Sequence, residues 1–183
     1  MSDEEWLALA PYVLRRSGPG RPIPELRQRM DAIFHLACSA EPWRALPPAF
    51  GKPDTVSRCF RRLTHAGLWQ RLLRALVDLS ETHTLRAIEA WITRACRRAA
   101  RILGLGFIVL IRRLGLRSAL NGPPWLLPDP EFAEKLVHAI PELDAPTQAG
   151  FRRFCWRLRM LLRLHRVAMG RSRIPRCLRL AWA

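Results

Sequence analysis

Apolar side chains recur every three or four residues through most of this chain, and this spacing predicts a protein of the all-α class. The first helix is predicted to begin at Ser2, where Glu5 stands in capping-box position, and to close or kink at Pro11. A second helix is predicted from about Pro24 to Ala40. Its expected buried face comprises Leu26, Met30, Ile33, Phe34 and Ala37.

A third helix is predicted from Asp54, which we expect to be its cap, to Ala66. Its inward positions recur at i, i+3, i+4 and i+7 and are Val56, Cys59, Phe60 and Leu63. Gly67 marks the end of this helix, because glycine adopts a positive φ at little cost. The next helix extends to about Leu79 on an apolar face of Leu68, Trp69, Leu72, Leu73 and Leu76.

The segment before the third helix contains several prolines, which interrupt helical structure. Trp43 stands in a short helical turn that Pro47 and Pro48 stop, and Phe50 precedes Gly51 in a second turn. We expect both aromatic rings to be buried anchors, because turns this short do not hold their shape without one.

Beyond Ser80 the chain becomes rich in arginine. A helix of about five turns is predicted with an inner face of Leu85, Ile88, Trp91, Ile92, Ala95, Ala99 and Ile102. A shorter helix is expected from Pro130 to Ile140, and a long one from Thr147 to Met169. The long helix should bury Phe151, Phe154, Cys155, Leu158, Leu161, Leu162 and His165. A second apolar line lies among its arginines and consists of Trp156, Met160 and Leu164.

These patterns predict three regions: a helical domain over residues 1–80, a basic helical extension over 81–169 and a basic tail over 170–183. Residues 1–80 hold 12 basic and 8 acidic side chains, whereas residues 81–183 hold 19 basic and 7 acidic ones. The net charge of +16 favours a polyanionic partner, which is DNA, RNA or an anionic membrane surface. A hydrophobic content of 49% indicates that the chain as a whole is not a disordered basic segment.

The cysteines and the hydropathy of the chain indicate the cellular compartment in which the protein is expected. The chain has 5 cysteines, with no CxxC pair and no Cys–His cluster at zinc-ligand spacing, so we expect reduced thiols and a cytoplasmic location. The acidic N-terminus is unlike a signal peptide. The apolar run from Ile102 to Ile111 is about half of the ~20 residues that a spanning helix needs, so no transmembrane segment is expected.

The third helix presents a candidate DNA-contacting face. Opposite its apolar positions lie Arg58, Arg61, Arg62 and His65, with Ser57 near the start of the helix. Arginine forks placed this way can contact guanine edges or phosphates in a major groove. The competing interpretation is an ordinary solvated basic face.

The order of motifs over residues 3–79 resembles the N-terminal domain of bacterial insertion-sequence transposases of the DDE type, in the IS-five group. The pattern comprises an acidic start with Trp, a Gly-Arg-Pro arm, a Pro-Trp-Arg turn, an aromatic–glycine turn, Thr-Val and an arginine-rich helix. The matching positions are Asp3, Glu4, Glu5, Trp6, Pro11, Gly20, Arg21, Pro22, Pro42, Trp43, Arg44, Leu46, Pro47, Phe50, Gly51, Thr55, Val56, Arg58, Phe60, Arg61, Arg62, Gly67 and Trp69.

This resemblance implies a helix-turn-helix-like DNA-binding domain. DNA contacts are expected at Arg21, Arg44, Ser57, Arg58, Arg61, Arg62 and His65, and structural roles at Trp6, Trp43, Phe50, Gly51 and Phe60. The chain departs from the family pattern inside the DNA-contacting helix. Ser57 stands where the family favours Tyr, Cys59 where it favours Arg and Leu63 where it favours Trp.

The acidic residues do not predict a transposase catalytic centre. A DDE centre needs two aspartates and a glutamate converging from a strand-rich fold on two metal ions. The acids after residue 80 follow no strand pattern, and Asp129 and Glu131 are interpreted as the start of a helix. We therefore predict no catalytic residue, no bound metal and no cofactor.

The expected partners are DNA, a second copy of the chain or a polypeptide that carries the DDE domain. The sequence is also compatible with two other functions. One is a basic adaptor whose C-terminal helices bind RNA, an anionic membrane surface or a partner protein. The other is an enzyme completed by a second polypeptide.

Overall fold

The computed structural model describes residues 1–14, 24–140, 147–171 and 174–182. Across these ranges the chain is helical and contains no strand, which confirms the predicted all-α class. It divides into two compact units, one over Met1–Asn121 and one over Gly122–Trp182. The helices of the first unit are α1 Asp3–Val13, α2 Leu26–Ser39, α3 Pro53–His65, α4 Leu68–Asp78, α5 Glu89–Leu103 and α6 Leu105–Arg113. Those of the second unit are α7 Pro130–His138, α8 Gln148–Ala168 and α9 Arg176–Ala181.

α1 begins with the predicted capping box. The Glu5 backbone N–H donates to the Ser2 hydroxyl at 3.2 Å, and the Ser2 N–H donates to the Glu5 carboxylate at 2.6 Å. The helix does not close at Pro11 but continues to Val13, with the Leu14 N–H bonded to the carbonyl of Ala10.

The core of the first unit is built on α2, α3, α4 and α5, which pack against one another. Three aromatic rings meet there: Trp69 lies 5.5 Å from Phe60 and 6.5 Å from Phe34, centroid to centroid. All three are at most 3% exposed. Such edge and tilted contacts add to the energy of burial, so these rings fix the relative placement of the helices.

The start of α3 differs from the prediction. Pro53 is its first residue, Lys52 occupies the cap without a side-chain hydrogen bond, and Asp54 lies in the first turn rather than at the cap. Proline suits this position because its fixed φ is already helical and its missing N–H would have had no helical partner. The end at Gly67 is as predicted, with a φ of 75°.

α5 is shorter than the predicted five-turn helix, because the chain first forms a 3₁₀ turn over Thr84–Ile88. Most of its inner face is buried as expected, but Ile102 is 36% exposed. α5 also supports the end of α2. The Arg98 guanidinium donates to the carbonyl of Leu36 at 2.6 Å and to that of Glu41. Arg98 thereby supplies donors at the carbonyl-rich end of α2, where helical partners are missing.

The second unit has a small core. Ala133 and Leu136 of α7 are buried with Ala168 of α8, and Leu161 packs against them. Asp129 caps α7 by accepting the Phe132 N–H at 3.1 Å, as its predicted place at a helix start implied. α8 begins after its cap at Thr147, as expected, but its apolar face is not buried as predicted: Phe151 is 57% exposed.

Leu162 of α8 is likewise 52% exposed, because the small second unit offers little surface to cover this face. Part of the predicted tail is helical, since Arg176–Ala181 forms α9. Every helix in the described ranges is too short or too polar to cross a membrane.

Candidate nucleic-acid interface

The apolar side of α3 is anchored in the core. Val56 is 1% exposed and Phe60 2% exposed. At the end of the helix, the buried Thr64 hydroxyl donates to the Phe60 carbonyl at 2.8 Å and accepts the indole N–H of Trp69 at 2.8 Å. This bond ties α3 to α4 inside the core. The opposite face of α3 is consequently held in one orientation.

The solvent side of α3 carries the predicted cationic residues. Arg58, Arg61, Arg62 and His65 are all exposed, and Ser57 is half-buried at the edge of this face. In the part of the chain that the structure describes, no hydrogen bond or ion pair joins the guanidinium of Arg58, Arg61 or Arg62 to another residue. Like charges three or four residues apart on a helix repel one another. The face is therefore a concentrated positive surface without internal compensation.

A pocket opens beside this face, between α2 and α3. It has a volume of about 220 Å³ and is lined by Arg29, Thr55, Arg58, Cys59 and Arg62. Arg29 was not among the predicted contacts, and Thr55 was named only as a position of the family motif. The available indication was the position of Arg29 on the same helical stripe as the buried Ile33 and Leu36.

The Cys59 thiol forms part of this pocket. Burial raises its pKa above the ordinary value of 9.0, although the positive charges of Arg29 and Arg62 act in the opposite direction. The thiol therefore stays neutral near pH 7. A neutral sulfur does not balance the charge of the surrounding arginines.

The turn over Trp43–Ala45 flanks α3 and carries Arg44, which is exposed. The Trp43 ring lies 5.2 Å from the Phe60 ring and 5.1 Å below the Arg98 guanidinium. Arg21, the other predicted contact outside α3, lies outside the described residues, together with the rest of the Gly-Arg-Pro arm.

The residues assigned structural roles differ in burial. Phe60 is buried, whereas Trp6, Trp43 and Phe50 are half-buried rather than enclosed as expected for the two turn rings. The turns lie at the surface, and each ring has one covered side: Phe50 lies 5.2 Å from the His35 ring. Gly51 has a φ of 87°, in the left-handed region that favours glycine.

The arginines of α5 differ from those of α3. Burial lowers the pKa of Arg98, and the neighbouring Arg101 lowers it further. Burial and the charge of Arg94 likewise lower the pKa of Arg97, whose guanidinium donates to the carbonyl of Ser118 at 2.8 Å. These two arginines hold the fold together, and they are not part of the free cationic surface on α3.

α8 presents a second basic surface, in the other unit. Trp156 is 62% exposed, Met160 48% and Leu164 38%, in the predicted line among the arginines. Within the described ranges, no group of three or more His, Cys, Asp or Glu side chains is placed to hold a metal ion.

The chain is all-α, and one of its helices is anchored in the core and presents a cluster of exposed arginines. These features define a basic helical protein. Residues 1–73 match the family described as "Putative transposase of IS4/5 family (DUF4096)". The match covers less than half of the 183 residues and confirms the predicted resemblance for the N-terminal region. No curated protein and no solved structure is significantly similar to the chain.

Proposed function

We propose that this chain is a DNA-binding protein derived from an insertion-sequence transposase, and that α3 contacts the major groove. The observation that carries the proposal is the uncompensated cationic face of α3, Arg58, Arg61 and Arg62, on a helix whose other side is anchored in the core. Phosphate oxygens and guanine edges supply the acceptors that these guanidiniums lack. The match of residues 1–73 to a transposase family supports the same conclusion.

A rigid position is important for this function. An arginine on an ordered helix loses less freedom on binding than one on an unstructured tail, so more of its contact energy is retained. The connection between α2 and α3 contains two 3₁₀ turns and is longer than the three- or four-residue turn of a standard helix-turn-helix motif. We therefore propose a helix-turn-helix-like docking of α3, with Arg44 and the Arg21 arm as flanking contacts.

The proposed binding is tolerant of DNA sequence. Ser57, Cys59 and Leu63 replace two aromatic residues and an arginine that the resembled family favours, and the buried positions of Cys59 and Leu63 keep them from base edges. The protein would act in the cytoplasm without a nuclease centre of its own. It would serve as a remnant, as the first product of a split element that pairs with a DDE-domain polypeptide, or as a regulator.

A salt titration tests this proposal. Binding of the full chain to a fluorescein-labelled duplex is measured by anisotropy from 50 to 200 mM salt. With six to eight phosphate contacts, affinity should fall roughly 10³-fold over this range. Absence of binding at 50 mM salt, or binding that salt does not weaken, rules out the proposal.

A charge-matched pair of triple variants locates the interface. Arg58→Ala, Arg61→Ala and Arg62→Ala together should reduce duplex affinity roughly a hundredfold or more, because each removes a contact. The control replaces Arg74, Arg94 and Arg101, which are also exposed in the first unit but lie on α4 and α5. Equal losses in the two triple variants would show that net charge, and not α3, determines binding.

The exposed apolar line of α8 favours a second candidate, a basic adaptor that binds through its C-terminal helices. Trp156, Met160 and Leu164 lie among arginines, as in helices that bind membranes or partner proteins. Cosedimentation with anionic vesicles tests the membrane form of this candidate. Loss of vesicle binding in a Trp156→Ala, Met160→Ala double variant with unchanged DNA binding would separate the two functions.

A further inference from the structure

The pocket between α2 and α3 has a composition that an anion fits. Three of its five lining side chains are guanidiniums, one is the Thr55 hydroxyl, one is the Cys59 thiol, and none is a carboxylate. Its volume of about 220 Å³ is far above the roughly 10–15 Å³ that one water requires. A tetrahedral anion therefore has room to enter.

Arg29 is held at this pocket by the packing of α2 on α3. Arg29 lines the pocket from α2, while Arg58 and Arg62 line it from α3. Guanidiniums from two different helices thus line one pocket. This convergence is a property of the tertiary structure and makes the pocket partly preorganised.

The charge of the pocket is not balanced from within. The nearest acids along the chain are Asp31, two residues after Arg29, and Asp54, one turn before Arg58. Among the described residues, neither forms an ion pair with an arginine. A concave surface lined by one sign of charge concentrates the field and attracts a counter-ion.

The donors in this pocket are side chains. The backbone N–H groups of Thr55 and Val56 both donate to the carbonyl of Lys52, so they do not point to a ligand. The Thr55 hydroxyl is exposed and can donate to an anion beside the arginines. Guanidinium forks match the oxygen pairs of a phosphate better than a single spherical ion.

We infer that this pocket binds a phosphate group, which Arg29 of α2 and Arg62 of α3 hold from two sides and to which Thr55 donates. Where the proposed function holds, this phosphate belongs to the DNA backbone. The pocket would then fix the position of α3 on the duplex without recognising sequence, because phosphate contacts carry no base information. The inference rests on the proposed function only for the source of the phosphate.

The first experiment compares Arg29→Gln with Arg74→Gln in the full chain. Arg74 is an exposed arginine on α4, so both variants lose one charge from the same unit. In duplex titrations, Arg29→Gln should lower affinity roughly tenfold and reduce the slope of log K against log salt by about 0.9, whereas Arg74→Gln should change neither. Arg29→Lys should restore the slope but only part of the affinity.

The second experiment uses inorganic phosphate in place of DNA, at constant ionic strength. Titration should shift the amide resonances of Thr55 and Cys59 in the wild-type protein and in Arg61→Gln, because Arg61 lies on α3 outside the pocket. The shifts should disappear in Arg29→Gln. Circular dichroism melting of each variant shows whether the fold is retained, and Arg29→Lys provides a charge-conserving variant in case Arg29→Gln is destabilised.

The outcomes distinguish the two proposals. If the wild-type protein binds the duplex and Arg29→Gln has the same slope as Arg74→Gln, the pocket does not hold a phosphate of the DNA backbone and the DNA function stands. If the duplex does not bind but inorganic phosphate shifts Thr55 in an Arg29-dependent way, the pocket is supported and the DNA function fails. If neither ligand depends on Arg29, the inference is wrong.

Discussion

The two arginine-rich helices α3 and α8 follow similar sequence patterns, but only one of them has its apolar face covered. On α3, Phe60 is 2% exposed, whereas Phe151 at the start of α8 is 57% exposed. α3 packs against α2, α4, α5 and the turn over Trp43–Ala45. α8 packs within its own unit against α7 and the turn over Pro124–Leu126.

The difference shows what helical periodicity does and does not encode. Apolar residues at i, i+3, i+4 and i+7 favour an amphipathic helix, and both helices form. Coverage of the apolar face depends on how many other elements are available to pack on it. The arginines of α3 therefore lie on a helix whose opposite face is packed in the core, whereas those of α8 share a surface with exposed apolar side chains.

The largest expected effect comes from truncating the two phenylalanines. Phe60→Ala should destabilise the first unit by about 3–5 kcal/mol, because the ring is buried against Trp43 and Trp69. Phe151→Ala should cost less than about 0.5 kcal/mol, because its ring already faces solvent. Urea unfolding measures both free energies, and similar losses would remove the contrast between the helices.

Removal of the buried Thr64 hydroxyl of α3 should cause a smaller loss of stability. Thr64→Val should cost about 2 kcal/mol, since it leaves the buried indole N–H of Trp69 without an acceptor. Thr55→Val, on the exposed side of the same helix, is the matched control and should be nearly neutral for stability. Thermal melting tests the pair, and Thr64→Ser should recover most of the loss if the hydrogen bond is its cause.

The start of α8 should depend on its cap. The Thr147 hydroxyl accepts the Gly150 N–H at 3.1 Å, and Thr147→Ala should cost about 1 kcal/mol of local helix stability. Hydrogen exchange of the first turn of α8 measures this loss. Lys52→Ala is the comparison on α3, where the cap makes no side-chain hydrogen bond and the tertiary contacts dominate, so no change is expected there. Faster exchange at the start of α3 would contradict this prediction.

The smallest effect concerns the thiols of the two helices. Burial raises the pKa of Cys59 on α3, so at pH 8 a smaller fraction of this thiol is ionised than in an ordinary cysteine. Cys155 on α8 is half-buried and more accessible. Iodoacetamide followed by mass spectrometry should therefore label Cys155 before Cys59, with the difference lost in urea. Earlier labelling of Cys59 would indicate that the α2–α3 pocket opens readily.

Much of the first unit could be predicted from local pattern. The bounds of α2 and α4, the inward face of α3 and the end at Gly67 all follow from helical spacing and from the conformational freedom of glycine. The prediction that Asp54 caps α3 was wrong. Pro53 prefers the first helical position, and this preference outweighed the capping propensity of Asp54.

The basic face of α3 could also be located from the sequence, since residues opposite a buried stripe must face outward. Its neighbour Arg29 was not found, because its approach to Cys59 joins residues thirty positions apart. Arg98 is not part of the predicted inner face of its helix, yet its guanidinium hydrogen-bonds the Leu36 carbonyl and lies over the Trp43 ring.

The sequence by itself determined that this chain is helical, strongly basic and similar at its N-terminus to a transposase family, because these properties depend on spacing, composition and motif order. Only the tertiary structure decided which arginines support the fold and which remain free to bind an anion. The physical reason is that the partner of a guanidinium can be distant in sequence, so only the folded structure brings the two together. Arg98 hydrogen-bonds a carbonyl at the end of α2, whereas Arg58 and Arg62 face solvent beside Arg29.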